Sequence, residues 1–299
     1  MARSFSFSNA AFHAGRADGP SGFLWKYLLV YAGLAVAVAV VQFGMQTLLF
    51  GSAVDMQMAI AGGGLTAGMI GKIALFYFVA MVIALVFWSI IEASIMRRYV
   101  HETGFTIGFG GDERRLILVG LAWIATIIGG YIVSAIVGAI LIGLVGFLAQ
   151  GSPALVGLVV FIVILALTCV WVFVTVRLSA ASALTIRDKK VHFFDSWGAT
   201  KGRFWPLFGA FLLLFVIVFV VGIVTFGVLA AVAGFDMNNP ESILLRMSPA
   251  GLGLAFFGIF AVMTLLQGFL GYVWAGPASL AAKTDPRGAG MVGAADVFS

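Results

Sequence analysis

Six apolar runs constrain this chain more than any other feature, because each exceeds the roughly 20 residues that a helix needs to cross a hydrocarbon core. Hydrophobic residues make up 62% of the 299 positions and charged residues only 10%, against about 25% charged in soluble proteins. A soluble core could not cover so much apolar surface, so lipid is the expected solvent. The sequence predicts an all-α polytopic membrane protein with six transmembrane helices and short cytoplasmic interfacial helices. The predicted spans are 24–50, 73–96, 116–149, 154–179, 207–233 and 252–275.

The third run, residues 116–149, is unusually long for a single span. A helix of this length would extend about 51 Å at 1.5 Å per residue. It must therefore tilt, kink or continue past the bilayer. Splitting it would leave two spans that are each too short, so we predict one helix. The pair Gly129-Gly130 is the expected position of a kink.

Lys and Arg residues are distributed asymmetrically about these spans. Of the 17 in the chain, only Lys72 and Arg246 fall on the side opposite to all the others. Short loops rich in Lys and Arg remain cytoplasmic, so we predict a bacterial inner-membrane protein with both termini in the cytoplasm. The formal charge of +5 is spread over short loops, where it suits anionic lipid headgroups. We therefore exclude nucleic acid as a partner.

The whole chain, 1–299, is predicted to form a single transmembrane domain with a weak threefold repeat. The units would be 1–100, 101–190 and 191–299, each a helical hairpin that leaves the membrane through an Ala-Ser pair followed by basic residues. These pairs are Ala93-Ser94, Ala181-Ser182 and Ala278-Ser279. Membrane helices are low in sequence complexity, so such similarity also arises without a common origin.

The stretch 191–205, VHFFDSWGATKGRFW, combines aromatic and basic residues next to the fifth span. Aromatic rings favour the membrane interface, and basic side chains there can contact headgroup phosphates. The headgroup candidates are Lys201, Arg203, Trp197 and Trp205, together with Arg114 and Arg115 before the third span. The alternative interpretation is an interfacial anchor that only sets the depth of the helices.

Glu92 lies inside the second apolar run, where an acidic residue is costly and often functional. We predict an intramembrane polar pair with Arg177, which lies near the same leaflet at the end of the fourth span. The pair could relay protons or bind a substrate, or it could be purely structural. The three histidines lack the spacing of a metal site, so no metal, cofactor or catalytic residue is predicted.

Three short segments carry a resemblance to a known family. They are Phe7-Ser8, the stretch 109–116 (FGGDERRL), and Asp195-Ser196-Trp197 followed by 200–205 (TKGRFW). The chain resembles uncharacterised six-helix inner-membrane proteins of alphaproteobacterial type, related to the membrane domain found beside glycerophosphodiester phosphodiesterases. The resemblance implies an all-helical membrane fold and no established activity. The phosphodiesterase domain, with its metal-binding acids and histidines, is absent from this chain.

The observations favour two classes of function over a third, a membrane-embedded enzyme, because no acid, base or metal cluster appears together in the sequence. The first is a lipid-interacting or accessory membrane protein that contacts anionic phospholipids on the cytoplasmic side and packs against other membrane proteins. The second is a transporter or channel for a small or amphipathic solute. It requires a cavity lined by polar side chains, for which the candidates are Gln42, Gln46, Glu92, Arg177 and Gln267. An interior packed solidly with Gly and Ala would exclude it.

Overall fold

The computed structural model describes residues 5–51, 66–148, 152–232, 249–285 and 287. Within these ranges the chain forms nine α-helices and one 3₁₀ turn, His13–Arg16, and contains no strand. The helices are α1 Phe7–Ala11, α2 Phe23–Phe50, α3 Ala67–His101, α4 Gly111–Leu148, α5 Pro153–Leu178, α6 Ala181–Asp188, α7 Ser196–Ala199, α8 Phe204–Val232 and α9 Pro249–Lys283. Six of them, α2 to α5, α8 and α9, contain segments long and apolar enough to cross a membrane. The predicted fold class is confirmed: this is an all-α, multi-pass membrane protein.

The helices extend further than the apolar runs predicted, mainly at one end of the bundle. Helix α3 continues to His101, α4 begins at Gly111, and α9 continues to Lys283. Hydropathy detects the part of a helix that lies in lipid, whereas the helical backbone continues into more polar surroundings. At its opposite end, α3 is capped by Thr66, whose side chain accepts a hydrogen bond from the Met69 amide, as expected of a Thr N-cap.

The long third run forms one continuous helix, as predicted. The two glycines at its centre have different surroundings. A Cβ atom on Gly130 would lie 2.2 Å from Cζ2 of Trp171 on α5, whereas a Cβ on Gly129 would meet nothing within 4 Å. Gly130 therefore lets the Trp171 ring approach the α4 backbone, and this pair of positions serves close helix packing.

All the described Lys and Arg residues except Lys72 lie at one end of the bundle, which we call the basic end. The tightly packed core lies at the same end and includes Tyr27, Tyr99, Leu184 and Leu280, each at most 2% exposed. In the most apolar segment of each of the six long helices, at most 22% of the residues are buried. The bundle is thus closely packed at its basic end, while its apolar middle presents side chains outward, as lipid-facing helices do.

The three Ala-Ser pairs of the predicted repeat all lie inside this packed end. Ser94, Ser182 and Ser279 are each at most 5% exposed. The helices that carry them, α3, α6 and α9, contact one another pairwise. Small side chains at these positions let the three helices approach closely. The threefold repeat itself stays a prediction, and this three-way contact is the arrangement that it would explain.

Candidate functional site

A central cavity of about 970 Å³ lies among the helices and extends toward the basic end. Its walls come from α2, α3, α4, α5, α6, α8 and α9. Ligand sites in proteins typically measure about 300–1,000 Å³, so this volume is at the upper end of that range. The interior is therefore not the solid Gly and Ala packing that would have excluded a solute pathway.

The cavity extends from the basic end into the apolar part of the bundle. Along α9 its lining runs from Ala278 to Met263, which is about 22 Å at 1.5 Å per residue. One leaflet of a bilayer contributes about 15 Å of hydrocarbon. The cavity is thus long enough to pass from the level of the headgroups through the acyl chains of one leaflet. Gly222 on α8, like Met263 on α9, lines the apolar part of the cavity.

Aromatic and aliphatic side chains together form most of the cavity wall. The lining includes Tyr27, Tyr31, Phe87, Trp88, Trp123, Phe211 and Trp274. The rings of Tyr31 and Phe87 lie 5.4 Å apart, and those of Phe211 and Trp274 lie 5.3 Å apart. Such pairs pack at the separation that aromatic rings prefer. The wall offers a large apolar surface together with the electron-rich faces of several rings.

Glu92 is the one residue with a formal charge among the described residues that line the cavity. Ser182 of α6 lines the cavity together with it. Two other hydroxyl groups in the lining are satisfied locally, since Ser179 donates to the carbonyl of Val176 and Thr175 to that of Trp171. Gln267 adds an amide from α9. One carboxyl group and a few hydroxyl and amide groups thus lie in a mainly apolar cavity wall.

The structure does not bring the predicted pair Glu92 and Arg177 together. Arg177 does not line the cavity. Its guanidinium donates to the Thr200 carbonyl at 2.8 Å and lies over the rings of Phe173 and Trp197. The physical reason is that the Arg177 guanidinium is directed toward the Thr200 carbonyl and the Trp197 ring in the segment that follows α6. The prediction of this pairing was wrong.

The two arginines that follow Glu92 on α3 are also engaged elsewhere. Arg97 donates to the carboxylate of Glu113 at 2.8 Å, and Arg98 donates to the Pro20 carbonyl at 3.1 Å. Arg98 also lies over the ring of Phe23. These contacts leave the cations nearest in the chain to Glu92 directed away from the cavity.

A second recess, of about 370 Å³, lies between α3 and α4 beside the central cavity. Met81, Leu85, Gly120 and Ile124 contribute to its wall, and Met81 is 39% exposed on the outer surface. Trp88 and Trp123 line both the recess and the central cavity. These two rings therefore form the partition between the lipid-facing side of the bundle and its interior.

The headgroup candidates fall into two groups. Lys201, Arg114, Trp197 and Trp205 are exposed, and Trp205 is 74% exposed. Arg203, by contrast, donates three hydrogen bonds to Ala281 and Thr284 at the end of α9. Arg115 pairs with Asp112 at 3.0 Å. The exposed group can reach a headgroup, whereas Arg203 and Arg115 are already used within the protein.

The sequence did not single out Ser182 or the aromatic wall as parts of a site. Ser182 appeared there only as one member of a repeated Ala-Ser pair, and its approach to Glu92 depends on how α6 packs on α3. The tyrosines Tyr27 and Tyr31, four residues apart on α2, did carry a signal, because this spacing places them on one helix face. Of the polar residues predicted for a solute path, Glu92 and Gln267 line the cavity, while Gln42 and Gln46 do not.

Comparison of the chain with protein-family models, with curated proteins and with solved structures finds no match. The resemblance to six-helix alphaproteobacterial proteins therefore stays a prediction. In the described ranges, no group of three His, Cys, Asp or Glu side chains could hold a metal ion. What the site offers chemically is a carboxyl group, a few hydroxyl and amide groups, and an aromatic chamber open to hydrophobic molecules.

Proposed function

We propose that this membrane protein binds and transports an amphipathic solute in its central cavity and performs no chemistry on it. The observation that carries the proposal is the cavity of about 970 Å³, with a carboxyl group toward the basic end and apolar walls beyond it. Of the two functions that the sequence suggested, this geometry favours the transporter over the accessory subunit. Lipid contact at the basic end remains a complementary role.

The distribution of polar groups along the cavity supports an amphipathic ligand. Glu92 and Ser182 lie toward the basic end, whereas Gly222 and Met263 mark the apolar part. A ligand with a polar head and an apolar body can satisfy both ends at once. A fully polar solute would place its polar groups against apolar side chains. Those polar groups would lose their hydration and would gain no hydrogen bonds in return.

The recess between α3 and α4 supports access from the side. A hydrophobic ligand dissolves in the bilayer and reaches the protein through its lipid-facing surface. The rings of Trp88 and Trp123 border both that recess and the cavity. Rotation of two side chains is a smaller rearrangement than separation of two helices, so this partition is the favoured route for an apolar tail.

A cavity-filling substitution tests the proposal in the purified full-length chain. Gly222 lines the cavity, and a Cβ atom there would meet nothing within 4 Å. The Gly222→Phe variant should therefore fold and occupy part of the apolar chamber. Gly227→Phe is the matched control, because Gly227 lies on the same helix, has the same open surroundings and does not line the cavity.

The measurement is retention of dioleoylglycerol by native mass spectrometry, followed by its uptake into proteoliposomes. We expect Gly222→Phe to lose about tenfold or more in retention, as steric exclusion from a pocket usually does. Gly227→Phe should match the unmodified protein. Equal retention by the two variants would show that lipids bind only to the outer surface, and the proposal would fail.

A further inference from the structure

We infer that the amphipathic ligand carries a cationic head, an amine or a quaternary ammonium group, which binds beside Glu92. This inference rests on the proposed function, since it assumes that the cavity holds an amphiphile. It adds the chemical class of the head and the residues that recognise it. The relevant residues are Glu92 and Ser182 with the rings of Trp88 and Tyr31, all in the cavity lining.

The charge balance of the cavity is the first argument. Among the described lining residues, Glu92 is acidic and none is Lys, Arg or His. The arginines closest in sequence, Arg97 and Arg98, bind Glu113 and the Pro20 carbonyl instead. A carboxylate in apolar surroundings is costly unless a cation pairs with it. A cationic ligand would supply the partner that the protein itself does not provide there.

The aromatic wall is the second and independent argument. Trp88 precedes Glu92 by four residues on α3, so the two side chains lie on the same helix face. Tyr31 approaches the same chamber from α2, and its ring lies 5.4 Å from that of Phe87, which also lines the cavity. Ammonium groups are attracted to the faces of Trp and Tyr rings, and sites for quaternary ammonium ligands combine several such rings. A carboxyl group beside several aromatic rings is the composition of such a site.

Other ligand classes fit these residues less well. An anionic head would face Glu92 and would find no basic side chain among the described lining residues. A bare divalent cation such as Ca²⁺ takes six to eight oxygen ligands, whereas the described wall is mainly apolar. A small hydrophilic amine would leave the remaining length of the apolar chamber empty. A cationic head on an apolar tail uses both the charge and the length of the cavity.

Three lipids with identical dioleoyl chains provide the test in the full-length protein. They are a trimethylammonium-propane lipid with a cationic head, dioleoylglycerol with a neutral head and dioleoylphosphatidylglycerol with an anionic head. Retention of each is measured by native mass spectrometry at equal concentrations, with tetramethylammonium as a tail-free cation. We expect the cationic lipid to be retained about tenfold or more over the neutral one, since buried charge pairs produce differences of this size or larger.

Substitutions then localise the preference. Glu92→Gln keeps the shape and the hydrogen-bond acceptor but removes the charge, so it should abolish the preference for the cationic over the neutral head. Glu92→Asp should retain the preference. Trp88→Leu keeps an apolar side chain but removes the ring face, and should reduce the preference several-fold. Asp195→Asn is the matched control, because Asp195 is an acid outside the cavity whose side chain is 68% exposed.

Each result has a distinct meaning. Equal retention of the cationic and neutral lipids, both lost in Gly222→Phe, would overturn the cationic head while leaving the proposed function intact. Retention of tetramethylammonium as strong as that of the cationic lipid would overturn the claim that the ligand is amphipathic. A cationic preference that Asp195→Asn removes and Glu92→Gln does not would place the site outside the cavity and overturn the inference. Failure of Gly222→Phe to affect any lipid would remove the proposed function and this inference together.

Discussion

The guanidinium group of Arg203 holds Thr284 at the end of α9. Its Nη2 donates to the Thr284 carbonyl at 2.8 Å, and its Nη1 donates to the Thr284 hydroxyl oxygen at 2.9 Å. The same guanidinium reaches the Ala281 carbonyl at 3.1 Å and lies over the ring of Phe5. Carbonyl groups at a helix C-terminus lack intrahelical donors, so Arg203 satisfies them. Arg203 thereby connects Phe5, the start of α8 and the end of α9.

The first prediction follows from this contact and concerns stability. Arg203→Gln removes charge-assisted hydrogen bonds to the end of α9, each worth about 1.5–3 kcal/mol. We expect it to lower the thermal unfolding midpoint of the detergent-purified protein by several degrees. Lys201→Gln is the matched control, because Lys201 is an exposed cation two residues away. The measurement is thermal unfolding followed by loss of the monodisperse chromatographic peak. Indistinguishable midpoints for the two variants would refute the structural role of Arg203.

The second prediction concerns anionic lipid at the basic end. Lys201 and Arg114 are exposed there, and a basic residue near an anionic surface contributes about 1 kcal/mol. Lys201→Gln combined with Arg114→Gln should therefore weaken phosphatidylglycerol retention by about 30-fold at low salt, and less at high salt. Lys72→Gln removes an exposed cation at the opposite end and serves as the control. A loss of similar size in Lys72→Gln would mean that only net charge matters.

The sequence predicted the spans well because hydropathy records directly which segments lie in lipid. The helices Phe23–Phe50 and Pro153–Leu178 agree with the predicted bounds within one residue at each end. The site was predicted only in part. Glu92 was recognised because an acid in an apolar run is costly wherever the helices pack. The surroundings of Glu92 were not predicted. The sequence shows how deep Arg177 lies in the membrane, but the direction of the Arg177 side chain depends on the segment around Thr200.

The third prediction separates two adjacent glycines on α4. In Gly130→Ala the new methyl group would overlap the Trp171 ring, whereas in Gly129→Ala it would meet nothing within 4 Å. Overpacking of this kind costs about 1–3 kcal/mol. Gly130→Ala should therefore lower the thermal unfolding midpoint, and Gly129→Ala should leave it unchanged or raise it because Ala favours the helix. The tryptophan fluorescence spectrum, to which Trp171 contributes together with six other tryptophans, should shift in the first variant alone. Equal effects in both would exclude the ring contact as the cause.

The fourth prediction concerns pH and the buried carboxylate of Asp285. Burial alone raises the pKa of this group, but hydrogen bonds from the Arg287 side chain and backbone, with the charge of that guanidinium, outweigh burial and lower the pKa below its usual value. A carboxyl group with a depressed folded-state pKa stabilises the protein above its unfolded-state pKa of about 3.9 and loses that contribution as the pH falls through the folded-state pKa.

Asp285→Asn should therefore be less stable than the unmodified protein at pH 7, and the difference should shrink as the pH falls below about 4. The measurement is the thermal unfolding midpoint as a function of pH for both proteins. Other acids titrate in the same range, but they contribute equally to the two curves and cancel in the difference. A difference that stays constant with pH would mean that Asp285 acts through packing and not through its charge.

The fifth prediction concerns orientation in the membrane. The described basic residues other than Lys72 share one end of the bundle, and short basic segments remain in the cytoplasm during insertion. With Cys169 replaced by Ser, Lys72→Cys should react with an impermeant maleimide in intact bacterial cells. Lys190→Cys, which also replaces an exposed lysine but at the basic end, should react only after permeabilisation. Labelling of Lys190→Cys in intact cells would reverse the topology and place the Glu92 end of the cavity on the outer side.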